Sequence, residues 1–167
     1  MVIWDFNEDK NYKLIDGYKV LNFQDAKKAS KLLNSINVLI LRTLELIDLN
    51  YKKTPEIDLL LNTPFDLQEM QLEKDQGKIK FEGLNKPKEV HPTNLIEIGE
   101  DGKLRAKYRR IFLTLRDETG KLKTINNIKR IVIHELTHTA LNHVTWRDDN
   151  HPKKFHDYYN IIKKYIN

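Results

Sequence analysis

The chain has 167 residues, no cysteine and a formal net charge of +5 at pH 7. This length fits a single domain, and the absence of cysteine excludes a disulfide scaffold, thiolate metal sites and thiol catalysis. Any metal ion must therefore be held by His, Asp or Glu. The sequence has neither an apolar run long enough to span a membrane nor a recognisable signal peptide. We therefore expect an intracellular, cytoplasmic protein that is not secreted.

The first 90 residues are predicted to be a mainly helical lead-in. Residues 1–21 look extended or irregular, with a turn at Asp16-Gly17. Apolar residues then recur every three or four positions, and this spacing predicts a long, well-buried helix over 23–49.

Two Thr-Pro pairs follow this helix, and each combines a capping side chain with a proline suited to a first helical turn. They predict short helices over 55–61, after Thr54-Pro55, and over 65–74, after Thr63-Pro64. The next segment, 75–92, is polar and rich in turn residues, so it is interpreted as a surface excursion.

Residues 91–167 are predicted to form a small sheet followed by two helices. Strands are expected where apolar and polar residues alternate, over 95–98, 103–108 and 111–116. Helices are expected over 125–142, capped by Thr124, and over 152–166, opened by Pro152. This order of elements predicts an α+β fold in which residues 1–167 form one domain.

The predicted helix 125–142 contains His134-Glu135-Leu136-Thr137-His138, which is an HExxH pattern. Two histidines four residues apart lie one turn above each other on the same helix face, so their ring nitrogens can converge on one Zn²⁺. Glu135 lies about 100° around the helix, where its carboxylate can reach a metal-bound water as a general base. The apolar residues of the helix fall on a separate face, so the histidines lie off that face, on a side that has room for a cleft.

A catalytic zinc normally has a third protein ligand and one position open to water. The candidates downstream of the motif are His143, Asp148, Asp149, His151, His156 and Asp157. His151 is favoured because it directly precedes Pro152, so that the loop after the motif can return it to the first two histidines. The acids Asp148, Asp149 and Asp157 remain alternatives, as do His156 and His143, although His143 at the helix end is interpreted first as a dipole partner or a surface residue.

Three further features are assigned provisional roles. Tyr158 and Tyr159 follow His151 by two helical turns and are candidate donors to an oxyanion, with aromatic packing in the core or on the surface as the alternative role. The strand over 109–116 is interpreted as an edge strand that holds a substrate by strand addition. The basic run over 103–110 is a candidate contact with nucleoprotein, although a solvated surface is the usual explanation for such a run.

Three segments taken together resemble the WLM and SprT-like zinc metallopeptidases. They are Ile111–Arg116, a strand ending in Leu-Arg, the His134–His138 motif, and Asn150–Phe155, which carries an H-x-x-x-F pattern. The sequence is most similar to a family of predicted metallopeptidases encoded by large nucleocytoplasmic DNA viruses. This resemblance runs from about residue 95 to residue 166, and Thr139 and Pro152 depart from the usual residues at their positions.

The resemblance implies a zincin-like fold with N-terminal helices, a small sheet, the HExxH helix and a C-terminal helix. It also implies a Zn²⁺ ion bound by His134, His138 and His151, with Glu135 as the general base. A viral origin would place the protein in the cytoplasm, a viral factory or the virion.

We therefore predict a zinc-dependent endopeptidase that hydrolyses a protein or peptide substrate by Glu135-assisted attack of zinc-bound water. One alternative is a catalytically silent, zinc-bound structural or interaction protein, for instance a virion component. A second alternative is a nucleic-acid-binding protein that uses the basic run. The oligomeric state is left open.

Overall fold

The computed structural model describes residues 11–87, 96–98, 104–143 and 152–167, which form an α+β fold. Helices α1 to α4 span Ala26–Asn50, Pro55–Asn62, Ile125–Ala140 and Pro152–Tyr165. Strands β1 to β9 span Tyr12–Ile15, Tyr18–Leu21, Phe65–Glu69, Glu73–Asp75, Lys78–Phe81, Gly83–Pro87, Ile96–Ile98, Leu104–Ala106 and Arg109–Leu113. Within these ranges, no helix combines the length and the apolar character needed to cross a membrane.

The predicted turn at Asp16-Gly17 is confirmed, and it joins β1 and β2 in an antiparallel hairpin. Asp16 and Gly17 have φ values of 50° and 85°, which are the left-handed values that a two-residue hairpin turn requires. The predicted long helix is confirmed as α1. Its buried residues recur at helical spacing, and its Ser30 hydroxyl donates to the carbonyl of Ile15 on the hairpin at 2.9 Å.

Of the two helices predicted from the Thr-Pro pairs, one is confirmed and the other is wrong. At the first, the predicted helix is confirmed, because the Thr54 hydroxyl caps α2 by accepting from the Ile57 amide at 3.2 Å. At the second, the predicted helix over 65–74 is wrong, because Phe65–Glu69 is strand β3. This segment pairs in parallel with β9 along its whole length, and these nonlocal hydrogen bonds override the local helix-start signal.

The central sheet has the strand order β3-β9-β6. Strand β9 runs parallel to β3 and antiparallel to β6, so it lies in the middle of the sheet. The predicted edge role of 109–116 is therefore wrong. The interpretation of the first 90 residues as a mainly helical lead-in also needs correction, because they supply both outer strands of this sheet.

The hydrophobic core lies where one face of the central sheet meets the helices. Residues Leu67, Ile111 and Leu113 point from the sheet into a buried cluster that includes residues of α1, α2, α3 and α4. The buried residues of α3 in this cluster are Ile128, Ile131, Val132, Ile133, Leu136 and Ala140. They hold α3 against the sheet, and the HExxH motif lies on this helix.

A network of ion pairs around Arg116 joins the end of strand β3 to the start of α1. The Arg116 guanidinium donates to Oε2 of Glu69 at 2.9 Å and to Oδ1 of Asp25 at 2.7 Å. The Glu69 carboxylate also accepts from the backbone amide of Leu21 at 2.8 Å. Because a buried charge is costly unless it is paired, this network fixes the start of α1 and the ends of β2 and β3 together.

Candidate metal centre

The structure brings the two histidines of the HExxH motif together, as their spacing predicts. The Nε2 atoms of His134 and His138 lie 3.1 Å apart, and their rings meet edge to face with centroids 4.8 Å apart. The ligand atoms of these two residues and of Glu135 all lie within 4.8 Å of one another. Two imidazole nitrogens at this spacing suit a tetrahedral zinc, whose nitrogen ligands lie at about 2.0–2.1 Å.

Burial shifts the pKa of two members of this group, His138 and Glu135. It lowers the pKa of His138 to about 3, with smaller contributions from His134, His143 and the positive charge of Arg109. His138 is therefore neutral near pH 7, and the neutral imidazole is the metal-binding form. Burial also raises the pKa of Glu135 to about 8, while the charge of Arg109 partly opposes this effect.

Strand β6 is bound directly to the HExxH helix through the side chain of Asn85. Its amide nitrogen donates to the Glu135 carbonyl at 2.6 Å and to the Thr139 hydroxyl at 2.7 Å. Its amide oxygen accepts from Nη1 of Arg109 at 3.1 Å, and the same Nη1 donates to the His143 carbonyl at 2.8 Å. These contacts tie the C-terminal half of α3 to two adjacent strands of the sheet.

A cleft of about 330 Å³ opens beside the histidine pair. Its lining residues come from the β6 region, α3 and α4, and they are Glu82, Gly83, Arg130, Ile131, His134, Glu135 and Tyr159. The HExxH motif therefore faces a cavity, and the segment over 75–92 contributes one of its walls. The interpretation of this segment as a surface excursion is wrong for β6, which is part of the central sheet.

The two tyrosines proposed as oxyanion donors have different surroundings. Tyr159 lines the cleft together with His134 and Glu135. The Tyr158 hydroxyl lies 3.0 Å from the Thr54 hydroxyl and donates to Oε2 of Glu56 at 3.0 Å. Tyr158 is thus engaged with the start of α2, and Tyr159 is the better placed of the two candidates.

The first turns of α4 cover the histidine pair through Phe155. The Phe155 ring centroid lies 4.9 Å from that of His134 and 5.1 Å from that of His138. His151, the predicted third ligand, lies outside the described residues, as do the alternatives Asp148 and Asp149.

The remaining candidate ligands are described and differ in exposure. His156 and Asp157 are exposed on α4. His143 is half-buried, and its Nδ1 lies 2.7 Å from Nδ1 of His138. The interpretation of His143 as a dipole partner or surface residue therefore misses its contact with the site.

Two residues of the basic run over 103–110, Arg109 and Arg110, are engaged in contacts within the fold. Arg109 is 1% exposed and serves the hydrogen-bond network described above. Arg110 forms an ion pair with Asp66 at 3.1 Å. Lys103 lies outside the described residues, and Arg105 is exposed. The run contains five positively charged residues, Lys103, Arg105, Lys107, Arg109 and Arg110. Because Arg109 is buried, these residues do not form one continuous basic surface.

Sequence reasoning missed Asn85, Arg109 and Gly83, which position the motif without belonging to it. Asn85 and Gly83 lie in no recognisable sequence pattern, and Arg109 stands out in the sequence only as part of the basic run. The Asn85–Glu135 contact joins residues 50 positions apart. Comparisons with protein-family models, with curated proteins and with solved structures give no match for this chain.

Proposed function

We propose that this protein is a zinc-dependent metallopeptidase of the zincin type, related to the WLM and SprT-like families. The observation that carries the proposal is the convergence of His134 Nε2 and His138 Nε2 at 3.1 Å beside Glu135 and an open cleft. Two imidazoles and an adjacent carboxylate form the ligand-and-base set of a hydrolytic zinc site.

His134 and His138 would hold the zinc through Nε2, and we propose His151 as the third ligand. Two features support this choice. His151 directly precedes Pro152 in the sequence, and Phe155, one turn further on, packs against both histidine rings. The start of α4 therefore lies against the metal-binding face of α3.

When bound, zinc lowers the pKa of a coordinated water to about 7 and polarises the scissile carbonyl. The Glu135 carboxylate would take the proton from that water and later deliver it to the leaving amine. The nearby divalent charge favours the ionised form of Glu135, against the effect of its burial. Tyr159 would donate a hydrogen bond to the developing oxyanion.

The substrate is proposed to be a protein or peptide in extended conformation, running through the cleft beside β6. Gly83 on this strand lines the cleft next to His134 and Glu135. Strand addition of this kind uses main-chain hydrogen bonds, so it accepts many sequences.

A catalytically silent, zinc-bound interaction protein is the second candidate function. It is favoured by the 3% exposure of Glu135 and by the cover that Phe155 gives to the histidine rings, because both limit access to the reacting atoms. The two candidates agree on zinc and differ on cleavage.

Zinc content and proteolysis of the same preparations test the proposal. We expect about one zinc per chain by elemental analysis of protein purified without chelators. The wild type should cleave an unfolded protein substrate, and Glu135→Gln should keep the zinc and lose the cleavage. The exposed His156→Gln provides a matched control that should keep both. Absence of zinc from the wild type would refute both candidates, and zinc without cleavage would favour the second.

A further inference from the structure

A third histidine, His143, contacts His138 on the side of its ring that faces away from His134. The Nδ1 atoms of His138 and His143 lie 2.7 Å apart, which is a short hydrogen-bond distance. A neutral imidazole carries one N–H and one lone pair, so one of these two nitrogens donates to the other. This contact uses the ring nitrogen of His138 that does not face His134.

The chemistry of a metal ligand decides the direction of this hydrogen bond. If Nε2 of His138 presents its lone pair to zinc, the proton of the neutral ring must sit on Nδ1. Nδ1 of His138 is then the donor, and Nδ1 of His143 is the acceptor. His143 thereby selects the tautomer of His138 that can bind the metal.

The position of His143 is itself determined by the fold. Asn142 has a φ of 59°, which ends α3, and the His143 amide donates to the His138 carbonyl at 3.1 Å. The buried Arg109 donates to the His143 carbonyl at 2.8 Å. The His143 ring also stacks on Phe155, with centroids 6.5 Å apart and an angle of 11° between the planes.

We propose that His143 is a positioning residue that accepts the Nδ1–H of His138 and so aligns Nε2 of His138 with the metal. This inference rests on the proposed function, since it assigns His143 a role at the same zinc site. Partners of this kind are usually carboxylates or backbone carbonyls, and their loss typically weakens metal binding about 10-fold to 100-fold.

Zinc affinity measured by competition with a chromophoric chelator tests the proposal. His143→Phe keeps a ring that can stack on Phe155 but has no acceptor, so we expect zinc affinity to fall about 10-fold to 100-fold. His143→Gln restores an acceptor oxygen and should recover most of the affinity. The control His156→Phe replaces an exposed histidine of α4 and should bind zinc as the wild type does. Far-UV circular dichroism of each metal-free variant verifies that it is folded.

Cobalt substitution separates positioning from direct ligation. The visible absorption bands of bound Co²⁺ report its ligand set. We expect saturated His143→Phe to keep the band positions of the wild type, because no ligand has been removed. Shifted bands, or wild-type zinc affinity in His143→Phe, would overturn the inference while leaving the proposed function intact. A wild type that binds neither metal would refute the proposed function itself, and the inference with it.

Discussion

Gly83 on β6 lies so close to Glu135 on α3 that a β-carbon at residue 83 would stand 2.9 Å from Oε1 of Glu135. The same β-carbon would stand 2.7 Å from Cγ2 of Ile131. Only a residue without a side chain allows β6 and the HExxH helix to approach this closely. The orientation of the candidate general base thus depends on a glycine in a different element.

Substitution Gly83→Ala should therefore affect both stability and activity. The added methyl group must displace Ile131 and Glu135, and overpacking of this kind costs about 1–3 kcal/mol in the free energy of unfolding. We expect kcat to fall with little change in zinc content, because the two histidines are not displaced directly. Urea unfolding, peptidase assay and elemental analysis measure the three quantities. Gly77→Asn is the control, since Gly77 has open space around it and a φ of 78° that asparagine tolerates.

Replacement of Asn85 by leucine should loosen the HExxH helix from the sheet. The change removes two hydrogen bonds to α3 and one from the buried Arg109. Leaving buried polar groups without these partners costs about 1–3 kcal/mol in the free energy of unfolding. The matched control Asn62→Leu alters an exposed asparagine at the end of α2 and should change stability by at most about 0.5 kcal/mol. Equal unfolding midpoints for the two variants would contradict the role of Asn85.

The stability of the zinc-free protein should depend on pH through Glu135. Its pKa is raised from 4.5 to about 8 in the folded chain, so the folded state binds one more proton than the unfolded state between these values. A raised carboxyl pKa contributes stability that is complete below the unfolded value and is lost as the pH rises through the folded one. The effect of His138 lies below pH 6.5, because its pKa is lowered on folding.

From pH 6.5 upward to about 8, we expect the free energy of unfolding of zinc-free wild type to fall by about 1 kcal/mol per pH unit relative to Glu135→Gln. Urea titrations in the presence of a chelator, at several pH values in this window, measure the difference. Parallel pH profiles for the two proteins would mean that Glu135 is already ionised in the folded, metal-free chain.

The two adjacent tyrosines of α4 offer a matched pair of variants. Tyr159→Phe removes the hydroxyl of a residue that lines the cleft, and we expect kcat to fall about 100-fold to 1,000-fold if this hydroxyl stabilises the oxyanion. Tyr158→Phe removes the contacts with Thr54 and Glu56, so it should cost about 1 kcal/mol of stability and leave kcat nearly unchanged. The reverse result, with Tyr158→Phe inactive and Tyr159→Phe active, would exchange their roles.

The identity of the third zinc ligand can be tested by substituting His151, which precedes α4 in the sequence, and His156, which lies on α4. We expect His151→Ala to lose stoichiometric zinc after dialysis, whereas His156→Ala should retain one zinc per chain. If both variants keep their zinc, the ligand must be sought among His143, Asp148, Asp149 and Asp157. Elemental analysis of the dialysed proteins decides between these outcomes.

Local signals in the sequence account for most of the helices and for the motif. The spacing of His134 and His138 predicts their contact, because helix geometry alone places them on one face. The cap at Thr54 predicts the start of α2 for the same reason, since the hydrogen bond spans only three residues. These features need no information about the rest of the chain.

The central sheet could not be predicted in this way. The segment Phe65–Glu69 carries a helix-start signal, and only its parallel pairing with β9 makes it a strand. Strand β6 contains Gly83, Asn85 and Pro87, residue types that are depleted in strands, and its place is set by hydrogen bonds to β9. The residues that support the site could therefore be identified only from the strand pairing of this sheet.

The composition of the central sheet determines how short a fragment of the chain could still hold the candidate metal centre. The proposed resemblance to metallopeptidases starts at about residue 95, but both neighbours of β9 end before residue 88. A fragment starting at residue 91 would contain every proposed zinc ligand, yet β9 would lack its partners and Glu135 would lose the wall formed by Gly83. The part of the chain in which the chemistry can be recognised therefore lacks two strands of the central sheet on which α3 packs. Truncation boundaries for this protein should follow the sheet rather than the motif.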